Sequence, residues 1–174
     1  MPERDSLNRD LAVRESFARD ASGLWQVCEA VARPTSAAEV ADLLAEANAR
    51  RTPVTTAGSQ TSTTGASICD HGILLSTRAL SHIGPVDRDA RTVRVGPGVL
   101  LGELQRTIAA EGLFFAPDPT SDQECTVGGA IANNVHGKDA HRFSFGRAVR
   151  AVELNPKWPK VNQFFPFYSS PSHT

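Results

Sequence analysis

The sequence predicts one α+β module, because stretches with helical spacing alternate with short β-prone runs. The helical stretches are residues 37–47 and 99–111, and the β-prone runs are Val54–Thr56, Ile73–Ser76 and Thr92–Val95. A length of 174 residues makes a single domain the default and is sufficient to bury a core. We find no internal repeat in the sequence.

The two helices are predicted from their ends as well as from their spacing. Ser36 and Glu39 form a capping box at the start of the first helix. Gly112 is the expected C-cap of the second helix. Apolar residues recur three or four positions apart between these ends, at Ala37, Val40, Leu43, Leu44 and Ala47 in the first helix and at Leu101, Leu104 and Ile108 in the second. A further buried strand is expected at Val149–Leu154.

Composition argues against several classes of partner. The net charge of -1 gives no electrostatic reason to expect nucleic acid or an anionic membrane surface. Residues 1–20 carry acids and bases throughout, and no run approaches the ~18 apolar residues of a membrane span. Three scattered cysteines, Cys28, Cys69 and Cys125, lack metal-ligand spacing. We therefore expect a cytoplasmic protein with reduced thiols and no bound metal.

A loop of glycines and hydroxyl side chains follows the first β-prone run. From Ala57 to Ser67 this loop contains no large apolar residue. Successive N–H groups and hydroxyls of this kind form a concave anion site without a lysine. The loop does not have the spacing of a P-loop, and no Gly-x-Gly-x-x-Gly fingerprint occurs in the chain. Taken alone, such a loop is also typical of an ordinary surface turn.

A second glycine segment runs from Cys125 to Lys138. Its pair Gly128-Gly129 lets the backbone approach a bulky ligand, and we expect unpaired N–H groups at a helix start that stabilise a pyrophosphate. The polar side chains that follow can contact the polar atoms of a ring; they are Asn133, Asn134, His136 and Lys138. The alternative is a glycine turn that opens a buried helix.

Five blocks in this order and spacing resemble the N-terminal flavin-binding half of FAD-linked oxidases of the vanillyl-alcohol oxidase and p-cresol methylhydroxylase type. The blocks are Arg33–Val40, Ala57–Ser67, Thr92–Val99, Pro117–Ser121 and Cys125–Leu154. The resemblance covers about residues 25–154. It implies an FAD-binding domain of the p-cresol methylhydroxylase type, built of two small α/β subdomains and incomplete at its C-terminus.

The same resemblance divides the chain into three parts. Residues 1–24 are expected to be an N-terminal extension, residues 25–154 the partial FAD-binding domain, and residues 155–174 an atypical tail. Four prolines in that tail exclude a continuous helix or a central strand. Our hypothesis is a foreign or disordered segment that follows a truncation or frameshift. The alternative is a genuine short extension that packs its aromatic side chains on the core.

Matching positions imply which residues bind the cofactor. The pyrophosphate loop would be Gly58, Ser59, Gln60, Thr61, Ser62 and Gly65. The second wall of the FAD site would be Ser121, Thr126, Val127, Gly128 and Gly129. The residues nearest the isoalloxazine ring would be Asn133, Asn134, His136 and Gly137, although His136 is also compatible with an ordinary core histidine. No catalytic residue is assigned.

Two departures from the family loop Arg-Gly-x-Gly-Thr-Ser matter for the expected geometry. Ala57 replaces the arginine, and Gln60 replaces the second glycine. Because glutamine tolerates positive φ less well than glycine, we expect a less tight turn there. Ser59 stands where histidyl-linked members carry their histidine, and Cys125 fits a buried structural thiol. The resemblance therefore implies non-covalent FAD.

The implied function is that of an FAD-dependent oxidoreductase acting on the CH–OH group of a sugar, a sugar alcohol or a 2-hydroxy acid. The runs 136–141 and 144–146 are most similar to the sugar-oxidising branch, which includes decaprenylphosphoryl-ribose oxidase. In this family the catalytic base comes largely from a later domain. Two alternatives stay open: a catalytically inactive FAD-binding fragment or interaction module, and an unrelated α/β hydrolase-like protein whose Ser/Thr loop binds a phosphate.

Overall fold

The structure, a computed structural model, describes residues 7–135 and Gly137. It contains six strands and four helices in that part of the chain, which are β1 (Leu7–Asn8), α1 (Leu11–Ser16), β2 (Ala30–Ala32), α2 (Ala37–Arg50), β3 (Val54–Ala57), β4 (Ile73–Ser76), β5 (Ile83–Asp87), β6 (Thr92–Val95), α3 (Leu101–Ala109) and α4 (Val127–Ala132). None of these helices is both long enough and apolar enough to cross a bilayer.

The first subdomain is a four-stranded sheet with the strand order β1-β2-β4-β3. Strands β2, β4 and β3 run parallel to one another, and β1 pairs antiparallel with β2 at one edge. The carboxyl ends of the three parallel strands therefore meet at one edge of the sheet. In open α/β sheets this edge is where ligands bind.

Both faces of this sheet are covered, which explains why its central strands β2 and β4 are buried at every position and almost entirely apolar. The face towards α2 buries alternate strand residues together with side chains of the helix, namely Ala30, Ala32, Ile73, Leu75, Leu43 and Ala47. The opposite face packs under the N-terminal segment and buries Val31, Leu74, Ala57, Cys28 and Cys69.

The second subdomain has its own core beneath the antiparallel pair β5–β6. Helices α3 and α4 supply most of its buried side chains, and the fully or almost fully buried set is Val99, Leu101, Leu104, Ile108, Cys125, Val127 and Ala130. Two small units, each combining strands with helices, confirm the predicted α+β fold with two subdomains.

Most of the predicted elements are present at or near their expected bounds. Strands β4 and β6 match the prediction, and β3 is one residue longer. Ser36 caps α2 by accepting a hydrogen bond from Glu39 N at 3.2 Å. The Glu39 carboxylate differs from a reciprocal capping box, because it accepts from Thr35 N at 2.8 Å. The C-cap of α3 is Ala110, so Gly112, which was predicted to be that cap, lies two residues further on, with φ +72°.

Other elements were not predicted from the sequence. Strands β1, β2 and β5 and helix α1 have no equivalent among the expected elements, and α3 begins at Leu101, two residues later than expected. Residues 7–24, grouped with the N-terminal extension, contribute β1 and α1 to the first subdomain. The expected strand Val149–Leu154 and the tail lie outside the described residues.

The N-cap of α2 provides a stability test. We expect Ser36→Ala to lower the free energy of unfolding by about 1 kcal/mol, because Glu39 N loses its side-chain acceptor. Ser36→Asp should keep nearly the full stability, since an aspartate at this position also caps. Urea unfolding of the two variants measures the difference, and equal losses would contradict the capping role.

Candidate functional site

The loop after β3 begins at the carboxyl edge of the parallel sheet. Its base is fixed by Thr77, whose N–H and hydroxyl both donate to Ala57 O, at 2.9 and 3.2 Å. The backbone N–H groups of residues 59–62 donate to no acceptor within the described part of the chain. In this half-buried loop, four successive N–H groups are therefore available to an anion as far as the described residues go.

Two side chains of this loop hold its shape. Gln60 adopts φ +55°, a positive φ that glutamine tolerates less well than glycine. The Ser62 hydroxyl oxygen accepts hydrogen bonds from Thr64 N and Ala66 N, both at 3.3 Å. Its own proton therefore remains available either to Thr64 Oγ1, at 3.2 Å, or to a ligand.

The two glycine segments touch each other at Gly58 and Thr126. A Cβ atom on Gly58 would overlap Thr126 Oγ1 and approach Thr126 Cβ and Cγ2 to 3.4 Å. Thr126 is 1% exposed and is the N-cap of α4, accepting from Gly129 N at 3.2 Å. Only glycine at position 58 permits this approach, so the loop after β3 and the start of α4 line one place in the fold.

The start of α4 differs from what the sequence predicted. We expected unpaired N–H groups there, but Val127 N donates to Val99 O at 2.8 Å and Gly128 N donates to Pro97 O at 2.9 Å. With Gly129 N bonded to Thr126, the first turn has no free donor. The expectation of an anion-binding helix start is therefore wrong, because the loop at Pro97 already supplies the acceptors.

Gly128 and Val127 have packing roles at this helix. A Cβ atom on Gly128 would lie 2.7 Å from Pro97 Cβ and 2.9 Å from Pro97 O, so the glycine allows α4 to approach the loop after β6. The Val127 side chain is buried in the core of the second subdomain. No role was predicted for Pro97, although it lies in the block Thr92–Val99 that resembles the family.

The far end of α4 carries the two predicted asparagines. Asn134 takes the left-handed conformation with φ +44° and donates its N–H to Ile131 O at 3.0 Å, while Val135 N reaches Ala130 O at 2.9 Å. This is a Schellman C-cap, which asparagine tolerates. The Asn133 amide donates to Gly129 O at 2.9 Å. Both asparagines are exposed, one helix length from Thr126.

The last predicted residues are only partly described. Gly137 lies against the backbone of Asp118, because a Cβ atom there would overlap the Asp118 main chain. This contact joins the end of the second glycine segment to the block at 117–121. His136 and Lys138, expected near the ring, lie outside the described residues.

Cys125 and Ser121 form a local pair before α4. The Cys125 thiol is buried, and burial raises its pKa although a hydrogen bond with Ser121 opposes the shift. Cys125 N donates to Ser121 O at 2.7 Å, which orders this turn. A buried thiol with a raised pKa is a poor nucleophile, in keeping with the expected structural role.

The loop after β3 also contacts the N-terminal segment. Ser67 donates its hydroxyl to Asp20 Oδ2 at 3.1 Å, and Gly65, with φ +77°, packs against Leu24. Burial alone would raise the pKa of Asp20, but hydrogen bonds from Ser22 and Ser67 outweigh it and lower that pKa. No sequence signal pointed to Asp20.

The residues present fit a cofactor with a diphosphate. The loop offers hydroxyls and N–H groups without an acceptor among the described residues, and Gly58 lets its backbone lie against Thr126. No cation is needed for such a site. Among the described residues, no group of three or more His, Cys, Asp and Glu side chains is placed to hold a metal ion.

Comparison with known proteins identifies the class that this fold and site define. Residues 28–155 match the family model of the FAD binding domain. The chain therefore belongs to the family of FAD-binding domains of the p-cresol methylhydroxylase type, and its cofactor is FAD. This confirms the resemblance seen in the sequence and removes the hydrolase-like alternative.

Particular relatives are oxidases and dehydrogenases. D-lactate dehydrogenase of Anaerostipes hadrus is 30% identical over 146 residues, which are 82% of this chain and 30% of the relative. Decaprenylphosphoryl-beta-D-ribose oxidase of Mycolicibacterium smegmatis is 39% identical over 84 residues, which are 48% of this chain and 18% of the relative. The chain thus spans less than a third of the length of these relatives.

A solved structure shows the same fold. Alkyldihydroxyacetonephosphate synthase, at 19% identity, superposes with a TM-score of 0.71 over 83% of this chain and 29% of that chain. At this identity the similarity concerns the fold alone.

The contact between Gly58 and Thr126 can be tested by a double-mutant cycle. Gly58→Ala should cost about 1–3 kcal/mol of stability, because its methyl group overlaps Thr126 Oγ1. Thr126→Ala removes that oxygen, so the double variant should be more stable than the summed losses predict by about 1 kcal/mol. Urea unfolding gives the four free energies.

The control for this cycle pairs Gly58→Ala with Ser36→Ala. Ser36 caps α2 and Gly58 contacts Thr126, and no bond among the described residues joins the two sites, so their losses should add to within about 0.5 kcal/mol. Additive losses for Gly58→Ala and Thr126→Ala as well would show that the two segments do not touch.

The lowered pKa of Asp20 predicts a pH dependence. A carboxyl group with a depressed pKa in the folded state contributes stability above its ordinary value of 3.8, and loses it as the pH falls. The stability advantage of the wild type over Asp20→Asn should therefore shrink as the pH falls from about 5 towards 2. Unfolding by urea at several pH values measures this difference in stability. A difference that does not change with pH would contradict the lowered pKa of Asp20.

Proposed function

We propose that this chain is the FAD-binding part of an oxidoreductase that oxidises the CH–OH group of a small hydroxy acid, sugar or sugar alcohol. The observation that carries the proposal is the loop after β3, where four unpaired N–H groups lie beside the contact between Gly58 and Thr126. The names of the relatives support the substrate classes, because they include a D-lactate dehydrogenase and a sugar oxidase.

In this proposal the loop binds the diphosphate and α4 orients the ring. The N–H groups of residues 59–62 and the hydroxyls of Thr61 and Ser62 would hold the phosphate oxygens. Gly65 and Val127 support the site through packing. Bound FAD supplies hydride acceptance, and the protein supplies orientation and exclusion of water. The ring would lie beyond the C-terminal end of α4, towards Asn133 and Gly137.

We further propose that FAD is bound without a covalent bond. Ser59 offers no imidazole, and Cys125 is a buried thiol whose pKa is raised by burial. All three cysteines are buried as free thiols, which supports a reducing compartment such as the cytoplasm.

A second candidate is an FAD-binding module without catalysis. The matched residues cover 30% of D-lactate dehydrogenase and 18% of the ribose oxidase, so the similarity to these relatives concerns only one part of each. The family resemblance implies that the base that takes the alcohol proton comes largely from a later domain.

The visible spectrum of the purified protein is the first experiment. Bound oxidised flavin gives a yellow protein, and flavin released into the supernatant by acid precipitation identifies non-covalent binding. Reduction of that flavin by D-lactate, glycolate or an alditol under anaerobic conditions separates the enzyme from the inactive module. A colourless protein that binds no added FAD would contradict both candidates.

The role of the loop can be tested with an isosteric pair of variants. Ser59→Asp places a negative charge beside the proposed diphosphate and should weaken FAD binding roughly tenfold or more, from Coulomb repulsion of about 2 kcal/mol in a partly screened site. Ser59→Asn has nearly the same shape and no charge, so its affinity should stay within about threefold of the wild type. Titration followed by flavin fluorescence measures both dissociation constants. Equal affinities for the two variants would place the diphosphate elsewhere.

A further inference from the structure

Gln60 holds an unusual backbone conformation at the centre of the pyrophosphate loop. Its φ of +55° lies in the left-handed region, which costs a residue with a side chain free energy and persists only when surrounding contacts enforce it. The enforcing contacts come from its own amide group, since Gln60 Nε2 donates to Phe17 O at 2.8 Å and to Ser67 O at 3.3 Å. The side chain thus joins both arms of the loop to the N-terminal segment.

A second set of bonds joins the same two segments. Ala21 N donates to Gln60 O at 3.2 Å, and Ser67 Oγ donates to Asp20 Oδ2 at 3.1 Å. The carboxylate of Asp20 is oriented in turn by Ser22 N at 3.0 Å. Residues 17–22 therefore contact the loop at its turn and at its return arm, and we call them the clamp segment.

The clamp segment is itself fixed to the first subdomain. Ala18 is fully buried, and its carbonyl accepts a hydrogen bond from Gln26 N at 2.9 Å. Phe17 packs on the core under the sheet, and the Arg33 guanidinium lies 4.9 Å from the centre of its ring. The segment is thus a rigid support, although it precedes the family match, which begins at residue 28.

We propose that the clamp segment pre-organises the FAD-binding loop, with Gln60 and Asp20 as its positioning residues. The inference rests on the proposed function, because it takes the N–H groups of residues 59–62 as the diphosphate site. By holding the turn at Gln60 and the return arm at Ser67, the clamp keeps these N–H groups together before the cofactor binds. Because the loop is already ordered in the folded protein, it loses less conformational entropy when FAD binds.

Replacement of Gln60 by glycine gives the decisive variant. Glycine stands at this position in the loop that the sequence resembles, and it adopts positive φ freely. A loop that needs only that backbone freedom would bind FAD equally well or more tightly in Gln60→Gly. The clamp predicts the opposite, because the amide bonds to Phe17 O and Ser67 O are lost and the free loop gains disorder.

The experiment combines two readouts on the full chain stripped of flavin. FAD titration followed by fluorescence should give a dissociation constant about tenfold higher for Gln60→Gly than for the wild type. Amide hydrogen exchange of residues 58–67 in the flavin-free protein should be faster in the variant, with exchange in β2 and β4 unchanged. Ser67→Ala, which removes only the bond to Asp20, should give a smaller change in the same direction.

The outcomes separate the clamp from the proposed function. Unchanged or tighter FAD binding by folded Gln60→Gly, with unchanged exchange in the loop, overturns the clamp and leaves FAD binding intact. A wild type that binds no FAD overturns the proposed function, and the exchange rates alone then decide whether the clamp orders the loop. If Gln60→Gly does not fold, Ser67→Ala decides the question, and an affinity and loop exchange equal to the wild type count against the clamp.

Discussion

The architecture depends on the close approach of Gly58 to Thr126. One belongs to the loop at the carboxyl edge of the parallel sheet, and the other caps the helix that opens the second glycine segment. No Cβ atom fits between them, so the backbone of the loop after β3 lies directly against a buried threonine of the second subdomain. This approach brings the main chains of the two glycine segments together at the proposed FAD site.

The two glycine segments contribute differently to the site. The loop after β3 leaves successive N–H groups without an acceptor in the described part of the chain, whereas the N–H groups of the first turn of α4 donate to Val99, Pro97 and Thr126. The loop therefore has donors to offer an anionic ligand that the first turn of α4 lacks. In the proposed site the loop recognises the charge of the diphosphate, and α4 contributes close packing.

Gln60, which replaces a glycine of the family loop, is held in part by a segment outside the matched domain. Gln60 adopts the backbone conformation that glycine would supply, and its amide group bonds to Phe17 O and Ser67 O. One of these two contacts, to Phe17 O, comes from a segment before residue 28, where the family match begins. A loop of the family can therefore keep its shape through tertiary contacts when its own sequence changes.

The sequence by itself determined the elements whose signals are local. Ser36 and the apolar spacing after it defined α2, the β-prone runs defined β3, β4 and β6, and the order of five blocks identified the family. Strand β2 escaped detection because three residues give no period, and the free donors were expected at α4 because Pro97 is distant in sequence. Which N–H groups remain unpaired, and what holds Gln60, depend on acceptors from other segments. Only the tertiary structure could decide them.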